Sequence, residues 1–235
     1  MLPRRLAHIG FLAVTLAALG TAVSCGETPE GSLVPVDTSL LTGEPCEPPC
    51  WQGLTPGVST EEEVNNFLLS SELVDQSSIF RGAVTLGTGE VVGTTIQWWS
   101  GANMSSVPRQ LGNDFTIEEG LLQHMTIWVD CEATLQDLLE RYGAPDNFTA
   151  WMLPYAPPNV KVTLFYPRHG FECTLLIAQD DVQLRPDSQI VRVWYFRSAS
   201  QTREYLRLSR DIGYRTGGED TLQDWHGYGP IELVP

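Results

Sequence analysis

From Leu121 to Val129, in LLQHMTIWV, apolar and polar side chains change places through Met125, Ile127 and Val129. A period of two marks a β-strand that buries one face. The same pattern predicts strands over Thr94–Trp99, Val160–Tyr166, Phe171–Ile177 and Ile190–Arg197, with Pro167-Arg168-His169-Gly170 as a hairpin link. Two stretches change the period. Thr60 and Glu63 form a capping box behind a Pro56-Gly57 turn, and Glu61 to Glu63 place negative charge on the positive end of a helix dipole. Val64, Phe67 and Leu68 follow at the spacing of a buried helical stripe, with Leu54 placed to pack back on the first turn. Thr134 and Asp137 repeat that start in a looser form, Leu135, Leu138, Leu139 and Tyr142 carry the stripe, and Gly143 with Pro145 closes it. Each predicted helix is followed by strands. The expected fold class is therefore α+β, two tandem units of helix packed on an antiparallel β-sheet.

The alternation also sorts side chains between two faces. Met125, Ile127 and Val129 share one with Val162, Leu164, Cys173, Leu175 and Ile177, a natural core against the helices. The other carries His124, Thr126 and Trp128, then Lys161, Thr163 and Phe165, then Arg192, Trp194 and Phe196. Trp98 and Trp99 are consecutive, so one of them joins this second face. In a two-layer fold it is open to solvent, and aromatics set among polar groups are what interfaces are made of. His124, Trp128, Phe165, Arg192, Trp194 and Phe196 are its candidate binding residues. The alternative is that the segment from Ser198 to Pro235, with Trp225 and Tyr228, folds back and covers them.

The N-terminus has a different character. Arg4 and Arg5 precede an apolar run from Ile9 to Ala18 and then small residues, the three parts of an export signal. The run is short of the roughly 20 residues a spanning helix needs. The signal ends in Ala22-Val23-Ser24-Cys25-Gly26, which resembles the lipobox of bacterial lipoproteins. That resemblance implies cleavage before Cys25 and its acylation as a membrane anchor; an ordinary signal-peptidase cut at the same bond is the alternative. Gly26 to Pro49 is rich in Gly, Pro, Thr, Ser and Glu without a period and is expected to be a tether. The chain thus divides into a signal (1–24), a flexible tether (25–49), a first unit (50–130), a second unit (131–200) and a tail packing on the domain (201–235).

Of five cysteines, a lipid on Cys25 leaves the even set Cys46, Cys50, Cys131 and Cys173, suited to disulfides outside the cytoplasm. Three connectivities are open. Cys46–Cys50 with Cys131–Cys173 is favoured, because Cys131 enters the second helix and Cys173 points from a strand towards the helix layer. The Cys46/Cys50 pair lacks the second Cys or His pair a zinc site requires, so no metal is expected there. A formal net charge of −15, with Lys161 the single lysine, argues against nucleic acid and anionic lipid surfaces as partners.

Chemistry is sparse. His124, His169 and His226 follow the signal, without an HExxH, P-loop or G-x-S-x-G pattern around them. Asp180-Asp181 reads as a turn, the Gly-rich stretch ending at Glu90 lacks the strand-loop-helix context of a phosphate loop, and no cofactor is called for. The sequons at Asn103 and Asn147 are short patterns that arise by chance.

The segments LTPGVSTEEEV and TLQDLLERYGAPDN are similar to the leading helices of small outer-membrane-assembly lipoproteins of the SmpA/OmlA type. A tandem of such units resembles the architecture of beta-lactamase-inhibitor proteins. The resemblance covers the two helices and, loosely, the strand order, and implies fold far more than function. The expected function is a lipid-anchored envelope protein on the extracytoplasmic side of a bacterial membrane, a non-enzymatic module that binds a protein or small ligand through its sheet face. An envelope hydrolase with His124 or His169 as base is the competing expectation.

Overall fold

The computed structural model describes residues 37–85, 88–100, 112–129, 133–153, 159–203, 206 and 221–233. The signal, Cys25 and Cys131 lie outside these residues. Among them the helices are short: α1 (Ser39–Thr42), α2 (Glu61–Ser70) and α3 (Leu135–Tyr142). The main strands are β1 (Phe80–Thr85), β2 (Val91–Trp98), β3 (Asn113–Glu118), β4 (Leu121–Trp128), β5 (Asn147–Met152), β6 (Asn159–Tyr166), β7 (Phe171–Ala178) and β9 (Ile190–Phe196). Short pieces β8 (Gln183–Leu184), β10 (Gln223–Asp224) and β11 (Gly229–Pro230) complete the set.

Nine strands form one antiparallel sheet in the order β1-β2-β3-β4-β9-β7-β6-β5-β10, and β8 pairs with β11 beside it. This corrects the expectation of two tandem helix-on-sheet units. The seam is the pairing of β4 with β9, which sets His124 opposite Phe196, Thr126 opposite Trp194 and Trp128 opposite Arg192. The protein is predominantly β, with one continuous sheet where two were expected. Alternation along a strand reports which face is buried; it carries no information about which distant strand lies alongside.

Both longer helices begin as their sequences dictate. Thr60 accepts from the Glu63 amide while the Glu63 carboxylate accepts from the Thr60 amide, a reciprocal box. Thr134 and Asp137 form the same full box, tighter than the looser cap expected of them. Val64 and Leu68 of α2, and Leu135 and Leu138 of α3, are buried against the first face of the sheet. There they meet Met125, Ile127, Val162, Leu164, Cys173 and Leu175, as the alternation required. Trp51, Phe67, Trp98 and Phe115 add an aromatic knot with ring centroids 5.2 to 6.4 Å apart. Trp98 is thus the inward member of its pair.

The expected tether is held down from Asp37 onward. Leu40 of α1 is buried, Tyr142 Oη donates to the Leu40 carbonyl at 2.6 Å, and Arg141 pairs with Glu47. Cys46 and Cys50 are joined in a disulfide. Cys173 is a buried free thiol, so the expected Cys131–Cys173 bridge is corrected. Its strand delivers the sulfur into a packed apolar layer, where burial pushes the thiol pKa well up and keeps it protonated.

Candidate functional site

The second face of the sheet is where structure and expectation differ most. It is not open. Phe165 and Phe196 are only 1% and 5% exposed and pack with Ala199, Leu206 and Leu222, so the tail builds a small second core over them. Gly170 allows this close approach: its φ is +70°, and a Cβ there would sit 2.6 Å from the Phe196 carbonyl oxygen. His124 is buried as well, its ring edge-to-face with Trp194 at 5.4 Å. Trp128, Arg192 and Trp194 are half-buried. The candidate residues therefore share one face, as the alternation placed them, but under cover.

The registers arrange this layer in rows across the strands. One row runs Asp114, Thr126, Trp194, Glu172 and Phe165 through β3, β4, β9, β7 and β6. The next runs Trp128, Arg192, Thr174, Thr163 and Thr149 through β4, β9, β7, β6 and β5. On the other side of the first, Thr116 lies opposite His124 and His124 opposite Phe196. Thr126 hydrogen-bonds the Asp114 carboxyl, and Arg192 Nη2 donates to Thr174 Oγ1 at 3.2 Å. Buried Thr116, Thr163, Thr174 and Glu172 make the layer polar throughout its middle.

Burial moves two titrations past each other. It pushes the Asp114 carboxyl up to about 6 against the opposing pull of Thr126 and Arg192, and it drives the His124 imidazole down to about 4. The two act oppositely on stability. Asp114, with its folded pKa raised, contributes stability that is present below its unfolded value of 3.8 and lost as pH rises through about 6. His124, with its folded pKa lowered, contributes stability that is present above 6.5 and lost as pH falls towards about 4. Between roughly pH 4 and 6 the slopes oppose, so Asp114→Asn unmasks the histidine. That variant is expected to lose roughly 1 kcal/mol per pH unit on acidification through this window, more steeply than the parent. Denaturant unfolding at a series of pH values checks it; parallel curves for the two proteins would contradict the assignment.

The other histidines do not join this layer. His169 is exposed and lies 5.3 Å, ring to ring, from Tyr142 of α3, and His226 contacts Phe148. No group of three or more His, Cys, Asp or Glu side chains placed to hold a metal ion occurs among the described residues. Asp180-Asp181 is a turn, and Asp181 pairs with Arg185. Asn147, in the second sequon, is half-buried in β5 and donates to Asp224.

Sequence reasoning missed Asp114 and Glu172. Glu172 was within reach, because Phe171, Cys173 and Leu175 are core residues and the position between two of them must face the other way. Asp114 was not, because β3 is a strand flanked by acidic and amide residues with only Phe115 and Ile117 as apolar signal.

Fold and layer together define a predominantly β protein with an enclosed polar layer on the face opposite its helices. No family model, no curated protein and no solved structure matches the chain.

Proposed function

We propose that this protein is a lipid-anchored binding protein on the extracytoplasmic side of a bacterial membrane, and that it recognises its ligand or partner at the polar layer of the sheet. The observation that carries this is the gathering of Asp114, His124, Glu172 and Arg192 on one covered face of the central strands. Ionisable groups are costly to enclose, and two of these have displaced titrations; such groupings concentrate at functional sites. The hydrolase reading is weaker. With its pKa near 4, the His124 imidazole stays neutral but takes up a proton poorly at neutral pH, and His169 is on another part of the surface.

The anchor half rests on Cys25, which ends the lipobox-like Ala22-Val23-Ser24-Cys25 stretch. Cys25→Ala is expected to abolish acyl labelling and move the protein into the soluble extracytoplasmic fraction. Undiminished membrane retention would overturn the lipid anchor. The binding half is tested by a photo-crosslinking residue at Trp128 in cells carrying the full chain. A discrete crosslinked species at this position, missing when the same residue replaces exposed Val58, is the expected result.

A further inference from the structure

Two N–H donors of the polar layer go unmatched among the described residues. Trp128 and Arg192 are directly opposed across the β4–β9 seam and point to the same face. Trp128 Nε1 and Arg192 Nε are both buried, and neither has an acceptor among the described residues. The guanidinium is only partly used, through Nη2 to Thr174 Oγ1. Buried N–H groups are nearly always paired in folded proteins, and a charged donor is the most expensive to leave unmade. Two such donors on neighbouring strands therefore describe a place shaped for an acceptor. Thr174 and Thr163 continue the row with hydroxyls.

We propose that the Trp128–Arg192 pair is a binding site for the carboxylate of a small monocarboxylic acid, which rests on the reading of the polar layer as a ligand site. A carboxylate offers two oxygens to the two N–H groups and a single negative charge to the guanidinium. A multiply charged anion fits less well, because Asp114 already feels the Arg192 charge and Glu172 lies on the adjoining row. The carboxylates of the chain far outnumber its cations, which adds to that bias. The body of the acid is apolar and flat, to suit the indoles of Trp128 and Trp194, which occupy adjacent rows on β4 and β9. Both are half-buried.

Benzoate is the probe, with benzamide as its uncharged counterpart and inorganic phosphate as the multiply charged one. On the purified full chain, benzoate is expected to raise the melting temperature saturably and to perturb tryptophan emission, while benzamide and phosphate do neither. Arg192→Gln is expected to weaken benzoate at least about tenfold, and Trp128→Phe, which keeps an aromatic ring but removes the N–H, by several-fold. Trp128→Phe holds the test open if Arg192→Gln fails to fold. Equal action of benzoate and benzamide, tighter binding of phosphate, unchanged benzoate affinity in both variants, or no benzoate binding at all overturns the carboxylate site. The crosslink from position 128 separates this from the wider proposal: a discrete adduct with no benzoate binding refutes the carboxylate and keeps the binding layer.

Discussion

Replacing Phe165 with Ala is expected to cost about 3–5 kcal/mol of folding stability, read as a shift in the denaturant midpoint without a change in its slope. The ring is 1% exposed and packs with Phe196, Ala199, Leu206 and Leu222, so truncation removes apolar contacts and leaves a cavity on the second face. An aromatic on an open binding surface behaves otherwise: its loss changes stability by well under about 1 kcal/mol. Leu206→Ala, which touches the same small core from the tail, is expected to lose about 2–4 kcal/mol. The double variant should fall short of the sum, because the two side chains share one cavity. Strict additivity, or a Phe165→Ala protein as stable as the parent, would show that the tail does not seal this face.

Trp51→Ala is expected to lose as much, about 3–5 kcal/mol, from the opposite side of the sheet. Trp51 is buried among Phe67, Trp98 and Phe115, and its Nε1 donates to Asp37 Oδ2 at 2.6 Å. Asp37 also accepts from the Ser39 amide at 3.0 Å and from Gln52 Nε2 at 3.2 Å, so one carboxylate ties the approach to α1 onto the turn after the disulfide. Trp51→Phe separates the two contributions. It keeps much of the aromatic packing but leaves Asp37 short of a partner, and about 1–3 kcal/mol should be lost. A Trp51→Phe protein as stable as the parent would mean that packing alone holds residues 37–50 in place.

How much of this was legible in the sequence divides along a physical line. Whatever depends on neighbours within one turn or one strand could be read: the two capped helices, the inward set from Met125 to Ile177, the hairpin at Pro167–Gly170 and the ring at Cys46–Cys50. Strands β1, β3 and β5 could not. Phe80–Thr85 is largely exposed and interrupted by Gly82, Asn113–Glu118 begins and ends with polar or acidic residues, and Asn147–Met152 starts inside a sequon just past the Gly143 and Pro145 helix stop. Without β3 there was no reason to place Asp114 beside Thr126. The cover over Phe165 and Phe196 was visible only as one of two alternatives, because nothing in the sequence around Leu206 and Leu222 says which face of the sheet they pack on. Pairing across the seam depends on residues far apart in the chain, which is information no local pattern holds.

That seam has a consequence for the order in which the molecule can be made. β4 is complete at Trp128, yet the strand that pairs with its outer edge, β9, begins only at Ile190. During synthesis the first four strands can associate as a meander while β4 still offers a full row of unpaired amides and carbonyls, with roughly 60 residues yet to emerge. Closing so long a loop is slow, and an exposed strand edge is a template for any other unfinished copy. The same pairing that joins the nine strands into one sheet thus makes the half-made chain adhesive, and keeping copies apart until Phe196 has emerged is a demand this topology places on the cell.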